Sequence, residues 1–369
     1  MKEEISMIEN KKRLLELAEK SVKAIINKFS PSELPPASRF HYHQSVFLMG
    51  AYDVYKETKN KEYLDYIIAY FNNIIDENGN FEYRREELDT LQVGFLLFDL
   101  YEITKDERYK IAIVKLVNMI DTFNMTKEFG FWHKDKYPYQ MWLDGLYMAG
   151  PFMLRAAKFL HRPELIQQVL YQERLMKKHM FDSKTGLPYH AWDERKIQPW
   201  ANSETGCSPE FWGRSVGWYG AALVDILKEL ETGDFGQKPL IPQVKEYIDN
   251  VLKFRDPEKH VWYQVVDKID LADNWIESSS TALYIYTLAN AINKGYVSKD
   301  YLSVLDESVI GLVKEFIIEE EEYAHLNGIC IGTSAGVYDY YVSRPQSEDD
   351  LHGVGTYLFA IMACYYLEV

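Results

Sequence analysis

The sequence predicts an all-α protein, an (α/α)6 barrel of six helical hairpins whose long loops lie at one mouth. Three observations support this prediction. Apolar residues recur mostly at three- and four-residue spacing, the predicted helices alternate in character, and long connecting segments alternate with short ones. An open helical solenoid is the alternative, but the sequence lacks its regular repeat of about 33 to 47 residues. We therefore expect one domain over residues 1–369.

The periodicity predicts twelve helices, over 11–28, 43–58, 61–76, 88–104, 106–122, 143–160, 162–180, 214–231, 238–256, 276–294, 298–317 and 352–367. The odd-numbered helices, such as KKRLLELAEKSVKAIINK at 11–28, have one charged face and are expected to form an outer ring in water. The even-numbered helices, such as HGVGTYLFAIMACYYL at 352–367, are apolar nearly all round and contain small residues. They are expected to form a buried inner ring in which glycine permits close backbone approach.

The connecting segments differ in length in a regular way. Outer helices lead to inner ones through long segments, at 29–42, 77–87, 123–142, 181–213, 257–275 and 318–351. The connections from inner helices back to outer ones are mostly short, and some are a single residue, such as Lys105 or His161. In an up-down arrangement all long segments lie at one end, and long loops are usually functional. All eight Trp and seven of the nine His fall in these segments or in the first turns of inner helices. We therefore predict the functional site at this mouth.

Two carboxylates occupy matching positions. Asp89, in ELDTLQVG, opens the fourth predicted helix, and Asp144, in MWLDGLYMAG, opens the sixth. Helix capping is the alternative explanation, since Asp is favoured at helix N-termini. The helix terminus favours the charged form, whereas desolvation by Trp and Tyr favours the neutral form, and two close carboxylates would push one pKa upward. Such a pair can supply a proton donor near neutral pH. Gly145 would give clearance to a ligand or to a neighbouring helix.

Two further polar residues are candidates. His190, in GLPYHAWD, is either a hydrogen-bond donor or proton shuttle, or a histidine that fixes its loop. Arg214 lies between Trp212 and Trp218. An arginine flanked by aromatic residues suits an anionic ring-shaped ligand, and the alternative is an internal ion pair with a carboxylate at the mouth.

Composition excludes several classes of function. A net charge of −15 argues against nucleic-acid or anionic-membrane partners. The N-terminal segment lacks the apolar core of a signal peptide, and no run is apolar enough to span a bilayer. Cys207, Cys330 and Cys364 are expected to be free thiols, which favours the cytoplasm. There is no dinucleotide fingerprint, phosphate loop or H-E-x-x-H motif, and the histidines lack metal-ligand spacing, so we expect no cofactor and no metal.

Six segments together resemble a known family. They are HYHQ at 41–44, ELDTLQVG at 87–94, WLDGLYMAGPF at 142–152, GLPYHAWD at 186–193, FWGRSVGWYG at 211–220 and GTSAGVYDYYVSRPQSEDDLHGVGTYLFA at 332–360. The chain resembles the unsaturated rhamnogalacturonyl hydrolases of glycoside hydrolase family 105 and, more distantly, the unsaturated glucuronyl hydrolases of family 88. The resemblance extends from Phe40 to the C-terminus. The chain departs from the family at the acidic stretch 347–350, where a shorter turn is expected.

The resemblance implies a cytoplasmic enzyme that acts on small unsaturated oligosaccharides made by a lyase. We expect either a monomer or a homodimer. Family members hydrate the C4=C5 double bond of the terminal uronate, which is here expected to be galacturonate linked to rhamnose, and they need no cofactor. It further implies that Asp144 is the general acid and base and that Asp89 assists. The substrate-binding residues implied are Tyr42, His133, Trp142, His190, Trp212, Arg214 and Trp218.

Two other classes of function remain as alternatives. One is a different sugar enzyme on the same barrel, either an inverting glycosidase or a sugar 2-epimerase that would use His190 and His352 as acid and base. The other is a non-enzymatic helical scaffold, which should show a regular repeat and an elongated groove.

Overall fold

The (α/α)6 barrel is confirmed by a computed structural model, which describes residues 6–37, 39–82, 87–230 and 236–368. The outer ring contains α1 (Lys11–Ile26), α3 (Lys61–Ile74), α6 (Glu107–Ile120), α8 (Glu164–Met180), α10 (Gln237–Leu252) and α12 (Leu302–Phe316). The inner ring contains α2 (Tyr42–Thr58), α5 (Gly94–Thr104), α7 (Asp144–Phe159), α9 (Gly213–Glu229), α11 (Ser278–Asn293) and α14 (Leu351–Tyr365). Position 231, the predicted end of one helix, and positions 83–86 of a predicted loop lie outside the described residues.

The inner helices form a continuous ring. Helix α2 packs on α14, α14 on α11, α11 on α9, and α9 on α7. The ring closes where α7 packs on α5 and where Ser45 Oγ of α2 donates to the carbonyl of Gln92, 3.3 Å away, just before α5. Residues 213–227 of α9 and 351–364 of α14 are buried throughout, as their nearly uniform apolar composition predicts.

Glycine permits the close contacts between inner helices. A Cβ on Gly355 of α14 would lie 2.5 Å from the backbone carbon of Val46 on α2, and one on Gly217 of α9 would lie 2.8 Å from Leu283 Cβ on α11. Distances this short are not tolerated between carbon atoms in a packed core. The predicted role of small residues in the inner ring is therefore confirmed at these two crossings.

The prediction of one continuous helix is wrong at one place. Residues 88–104 form two helices, α4 (Leu88–Leu91) and α5, instead of one. The Gln92 carbonyl accepts from Ser45 Oγ and from the N–H of Phe95, three residues later, so the regular four-residue ladder is interrupted there. The interruption leaves Asp89 on a short separate helix at the mouth.

Short strand pairs lie in the long loops, and one of them joins two different loops. Strand β1 (Gln140–Trp142) pairs antiparallel with β2 (Ala191–Asp193), β3 (Ile317–Glu319) with β4 (Ala324–Leu326), and β5 (Ile329–Cys330) with β6 (Gln346–Ser347). A short helix, α13 (Tyr338–Val342), lies in the last long segment. Each pair gives regular hydrogen bonding to loop segments that would otherwise carry unpaired backbone groups.

The six inner helices run in the same direction, from the mouth to the opposite end, because every long segment leads into an inner helix. Their N-termini therefore meet at the mouth, and their C-termini meet at the other end of the barrel. Helix dipoles make the first end favourable for anions and the second for cations. Within the described residues, no helix has the length and apolar character needed to cross a membrane. The three cysteines are buried and free, as predicted.

Candidate active site

A cavity of about 300 Å³ opens at the mouth and contains most of the predicted site residues. Seven of the nine line it: Tyr42, Asp89, His133, Trp142, Asp144, Trp212 and Arg214. The other lining residues are His41, His43, Lys134, Lys136, Tyr137, Met148, Gly332, Thr333 and Ser334. A larger groove of about 580 Å³ lies on the outside against α1 and contains none of the predicted site residues.

The strand pair β1/β2 joins two loops that are distant in sequence and sets the geometry around Asp144. Trp142 pairs with Ala191, and the N–H of Leu143 donates to the carbonyl of His190 at 3.1 Å. Helix α7 begins at the next residue, Asp144. His190 Nε2 consequently lies 3.6 Å from Asp144 Oδ2.

Asp144 is buried at the first turn of α7, and its Oδ2 has no hydrogen-bond partner among the described residues. Burial raises the pKa of Asp144 to about 7, against the opposing effects of its own backbone N–H and of the Arg214 charge. Of the two opposing forces expected from the sequence, desolvation is therefore the stronger. The carboxyl group is poised to hold or release a proton near neutral pH.

Asp89 is buried beside a cation. The ammonium of Lys134 contacts Asp89 Oδ2 and lies 3.2 Å from Glu87 Oε1, and His133 Nε2 is 3.6 Å from Asp89 Oδ1. Burial alone would raise the pKa of Asp89, but Lys134 together with His133 and His41 outweighs it, and the pKa is about 2. The two carboxyl groups of the cavity thus differ in protonation at neutral pH, one charged and one available as a proton donor.

His190 is fully buried behind the cavity wall, so it contacts Asp144 without lining the cavity. Its Nδ1 is 2.8 Å from the hydroxyl of Tyr341, and that hydroxyl accepts from the N–H of Gly336 at 2.9 Å. Burial keeps the pKa of His190 well below its usual range, so the ring is neutral. When the Tyr341 hydroxyl donates to Nδ1, the single ring proton is on Nε2 and faces Asp144.

Arg214 is buried with its guanidinium 4.5 Å from the Trp212 ring. It donates to the carbonyls of Cys330 and Ile331, the second at 2.8 Å. The predicted alternative, an internal ion pair with a carboxylate at the mouth, is wrong, since no carboxylate among the described residues forms a salt bridge with it. Its charge is therefore available to an anionic ligand in the cavity.

One predicted site residue, Trp218, lies away from the cavity, whereas Gly145 has one of its two expected roles. Trp218 lies on the second turn of α9, fully buried, and its ring packs 4.4 Å from that of Tyr147, away from the cavity lining. The predicted clearance for a neighbouring helix is confirmed, since a Cβ on Gly145 would lie 2.7 Å from Leu88 Cδ1 of α4 and 3.3 Å from His133 Nδ1.

Several lining residues were not predicted from the sequence. Lys134, which sets the charge state of Asp89, directly follows the predicted His133, and that adjacency was the available signal. Gly332, Thr333 and Ser334 belong to the GTSAGV segment, and Ser334 Oγ is 2.9 Å from the hydroxyl of Tyr137. Nothing local in the sequence indicates that this segment reaches the cavity.

Two groups of side chains have the composition of metal sites, namely His43 with Asp350 and His352, and His325 with Glu348 and Asp349. In the first, Asp350 Oδ1 lies 3.0 Å from His43 Nδ1 and 2.8 Å from His352 Nδ1. His352 Nε2 is 3.1 Å from the Cys330 carbonyl. These contacts form a hydrogen-bonded group at the edge of the cavity, next to the carbonyl that Arg214 also contacts.

Comparison with known proteins places this geometry in a family. The model of Glycosyl Hydrolase Family 88 matches residues 17–367. A glycoside hydrolase from family 105 of C. acetobutylicum ATCC 824 has a solved structure that is 34% identical, covers 95% of this chain and 98% of its own, and superposes with a TM-score of 0.89. The chain belongs to the family 88/105 glycoside hydrolases.

Other relatives of this family 88/105 hydrolase carry more specific names. The unsaturated rhamnogalacturonyl hydrolase YesR of Bacillus subtilis is 22% identical over 298 residues, which cover 78% of this chain and 82% of the relative. The unsaturated glucuronyl hydrolase of Bacillus sp. GL1 has the same fold, with a TM-score of 0.73 at 13% identity over 96% of both chains.

Proposed function

We propose that this hydrolase hydrates the C4=C5 double bond of a terminal unsaturated galacturonate linked to rhamnose and thereby releases the sugar. The observation that carries the proposal is the pair of carboxyl groups in one cavity, Asp144 with a pKa of about 7 and Asp89 with a pKa of about 2. The name of the relative YesR supports the choice of substrate. We further propose that residues 1–369 form a single catalytic domain that acts in the cytoplasm as a monomer or homodimer.

In the proposed reaction Asp144 acts first as acid and then as base. Its protonated carboxyl gives a proton to C4, and positive charge develops at C5, where the ring oxygen shares it. A water molecule adds to C5 and returns a proton to the Asp144 carboxylate, so the enzyme ends in its starting state. The product is a hemiketal at C5, which opens and releases the linked sugar.

Asp89 and His190 support this proton transfer. Asp89 is held charged by Lys134, so it cannot donate the proton itself; it either stabilises the positive charge that develops in the transition state or accepts from a sugar hydroxyl. The Nε2 proton of His190 faces Asp144 Oδ2 at 3.6 Å, and a small movement would give a hydrogen bond to the carboxylate formed after proton donation.

The carboxylate of the uronate is assigned to Arg214. This cation has two donors committed to backbone carbonyls, and its Nε is buried without a partner among the described residues. Six helix N-termini add positive potential at the mouth, so an anion is favoured there although the chain carries a net charge of −15. Trp212 and Trp142 form aromatic walls for the sugar, with Tyr42 and His133 beside them.

The test follows the ultraviolet absorbance of the double bond when purified protein, without added metal, meets unsaturated galacturonyl-rhamnose. We expect the absorbance to disappear as free rhamnose forms, and Asp144→Asn to abolish both. The saturated disaccharide is the control and should remain intact. Persistent absorbance together with cleavage of the saturated disaccharide would instead support an inverting glycosidase.

A further inference from the structure

A second cavity, of about 210 Å³, lies at the end of the barrel opposite the mouth. We call it the lower cavity. Three polar residues from successive inner helices face it: Tyr147 of α7, Asp225 of α9 and Tyr286 of α11. None of the three is among the residues that line the mouth cavity.

Asp225 is a buried carboxylate without a cationic partner. It is 5% exposed, and the hydroxyl of Tyr286 donates to its Oδ1. Among the described residues, the Tyr286 hydroxyl is the side chain that bonds to this carboxylate, and no lysine or arginine lies within salt-bridge distance of it, although Lys228 lines the same cavity. Burial raises its pKa to about 6, with Lys228 opposing, so the group is charged at neutral pH. A buried charge of this kind is costly unless a cation compensates it.

Tyr147 has a buried polar atom that also lacks a partner. The residue is 3% exposed, and its hydroxyl makes no hydrogen bond within the described part of the chain. Burial raises the pKa of this phenol, and the negative charges of Asp225 and Asp53 add to the effect. All three residues line the lower cavity. A ligand with several hydrogen-bond donors could satisfy the Tyr147 oxygen and Asp225 together.

The surroundings favour a cation with an apolar part. Of the other charged residues that line the cavity, Asp53 pairs with Lys56 at 2.6 Å and Asp99 with Arg155 at 2.7 Å. Lys228 and Glu229 are one of each sign, so Asp225 leaves the lining with a net negative charge. All six inner helices end on this side, which makes the potential there negative. The rings of Phe95 and Phe359 line the same space. Its volume exceeds the roughly 30 Å³ of a single water molecule several times, so a small organic ion fits.

We propose that the lower cavity binds a small primary ammonium ion, which donates to Asp225 Oδ2 and to the Tyr147 hydroxyl while its alkyl part packs on the aromatic walls. The three donors of an ammonium group match these two unpaired acceptors and leave one for water. Aromatic faces also attract cations.

Isothermal titration calorimetry with ethylammonium chloride, and with potassium chloride at equal ionic strength, tests the proposal on the full-length protein. We expect saturable one-site binding of ethylammonium only. Asp225→Asn keeps the shape and the Tyr286 contact but removes the charge, and it should weaken binding about tenfold or more. Tyr147→Phe should weaken binding too, while its Tm without ligand should equal or exceed that of the wild type, since it deletes an unpaired buried hydroxyl.

Asp65→Asn, on the exposed face of α3, is the matched control and should bind like the wild type. Absence of saturable binding to the wild type overturns the proposal. Equal binding of potassium does so as well, because it would indicate an alkali-metal site. Unchanged affinity in both Asp225→Asn and Tyr147→Phe would locate the ion elsewhere and has the same consequence.

Discussion

His190 Nε2 and Asp144 Oδ2 lie 3.6 Å apart, and each is buried without a hydrogen-bond partner among the described residues. Two unpaired polar atoms facing each other cost stability, since each loses its contact with water. Active sites commonly carry such a loss of stability, because their polar groups are placed to stabilise a charge that appears only during the reaction. In this molecule that charge is the Asp144 carboxylate formed after proton donation.

Tyr341→Phe should disturb this arrangement without touching the cavity. The Tyr341 hydroxyl is the partner of His190 Nδ1 at 2.8 Å, and without it the ring proton is free to move to Nδ1, away from Asp144. We expect kcat to fall about tenfold or more with a smaller change in KM, measured in the absorbance assay. Tyr338→Phe removes an exposed hydroxyl that contacts Asp273 and serves as the control. Equal kinetics of both variants would mean that the tautomer of His190 does not matter.

Asp144→Asn should stabilise the fold in a pH-dependent way. The pKa of Asp144 is raised from 3.8 to about 7 on folding. Between these values the folded state binds more protons than the unfolded state, so stability falls as pH rises. The asparagine variant lacks this loss. Its advantage in the free energy of unfolding should therefore grow from pH 4 to 7 and then stay constant, at most about 4 kcal/mol.

Denaturant unfolding across this pH range measures the difference between Asp144→Asn and the wild type. Asp76→Asn provides a contrast of opposite sign. Hydrogen bonds from Asn80 lower the pKa of Asp76, so its carboxylate stabilises the fold above its ordinary pKa and the contribution is lost as pH falls. A constant advantage of Asp144→Asn at all pH values would show that the Asp144 pKa is not raised.

Lys134→Ala should change the acidic side of the pH profile. Without the ammonium, burial dominates, and the pKa of Asp89 rises from about 2. Because the mechanism needs Asp89 charged, the acidic limb of kcat/KM should move to higher pH. The alkaline limb near pH 7, set by Asp144, should move less, because Lys134 is a minor cause of the Asp144 pKa. Lys136→Ala, in the same loop but without a contact to Asp89, should leave both limbs unchanged. An unmoved acidic limb in Lys134→Ala would remove Asp89 from the pH dependence.

What could be predicted from sequence depends on the range of the interactions. Alternation of apolar and amphipathic helices is a local signal, and with loop lengths it identified the barrel and the mouth. Of the seven predicted residues that line the cavity, Tyr42, His133 and Trp142 were implied by the family resemblance. Asp144 and Asp89 were found because a helix start is also a local feature.

Contacts between distant segments were not predictable. Arg214 donates to the Cys330 carbonyl, 116 residues away, and the pairing of β1 with β2 brings His190 to Asp144. The break at Gln92 depends on Ser45 of another helix. Trp218 was assigned to the cavity because it lies near Arg214 in sequence, but its position on the second turn of α9 directs it towards Tyr147.

Glu277 is the strongest remaining candidate for a positioning residue, because its fully buried carboxylate holds the segment that anchors Arg214. It accepts from the N–H of Cys330 at 2.9 Å and from the hydroxyl of Ser279 at 2.7 Å, and Ser279 Oγ lies 3.5 Å from Arg214 Nη1. Glu277→Gln keeps the shape of the side chain but replaces the charged carboxylate with a neutral amide. One of the two acceptor oxygens becomes an NH2 group, which faces hydrogen-bond donors. The substitution should lower the free energy of unfolding by about 1–3 kcal/mol. It should also make the position of the Cys330 carbonyl less fixed.

The expected kinetic consequence of Glu277→Gln is a rise in KM for the anionic substrate of about tenfold, with kcat changed less, because Arg214 would lose its fixed orientation towards the uronate. Glu258→Gln, an exposed substitution in the connection between α10 and α11 that also contains Glu277, controls for the loss of one negative charge. A neutral disaccharide analogue without the carboxylate should bind both variants equally. If Glu277→Gln lowers Tm but leaves KM at the wild-type value, Glu277 supports only the fold, and the orientation of Arg214 must come from the two carbonyls alone.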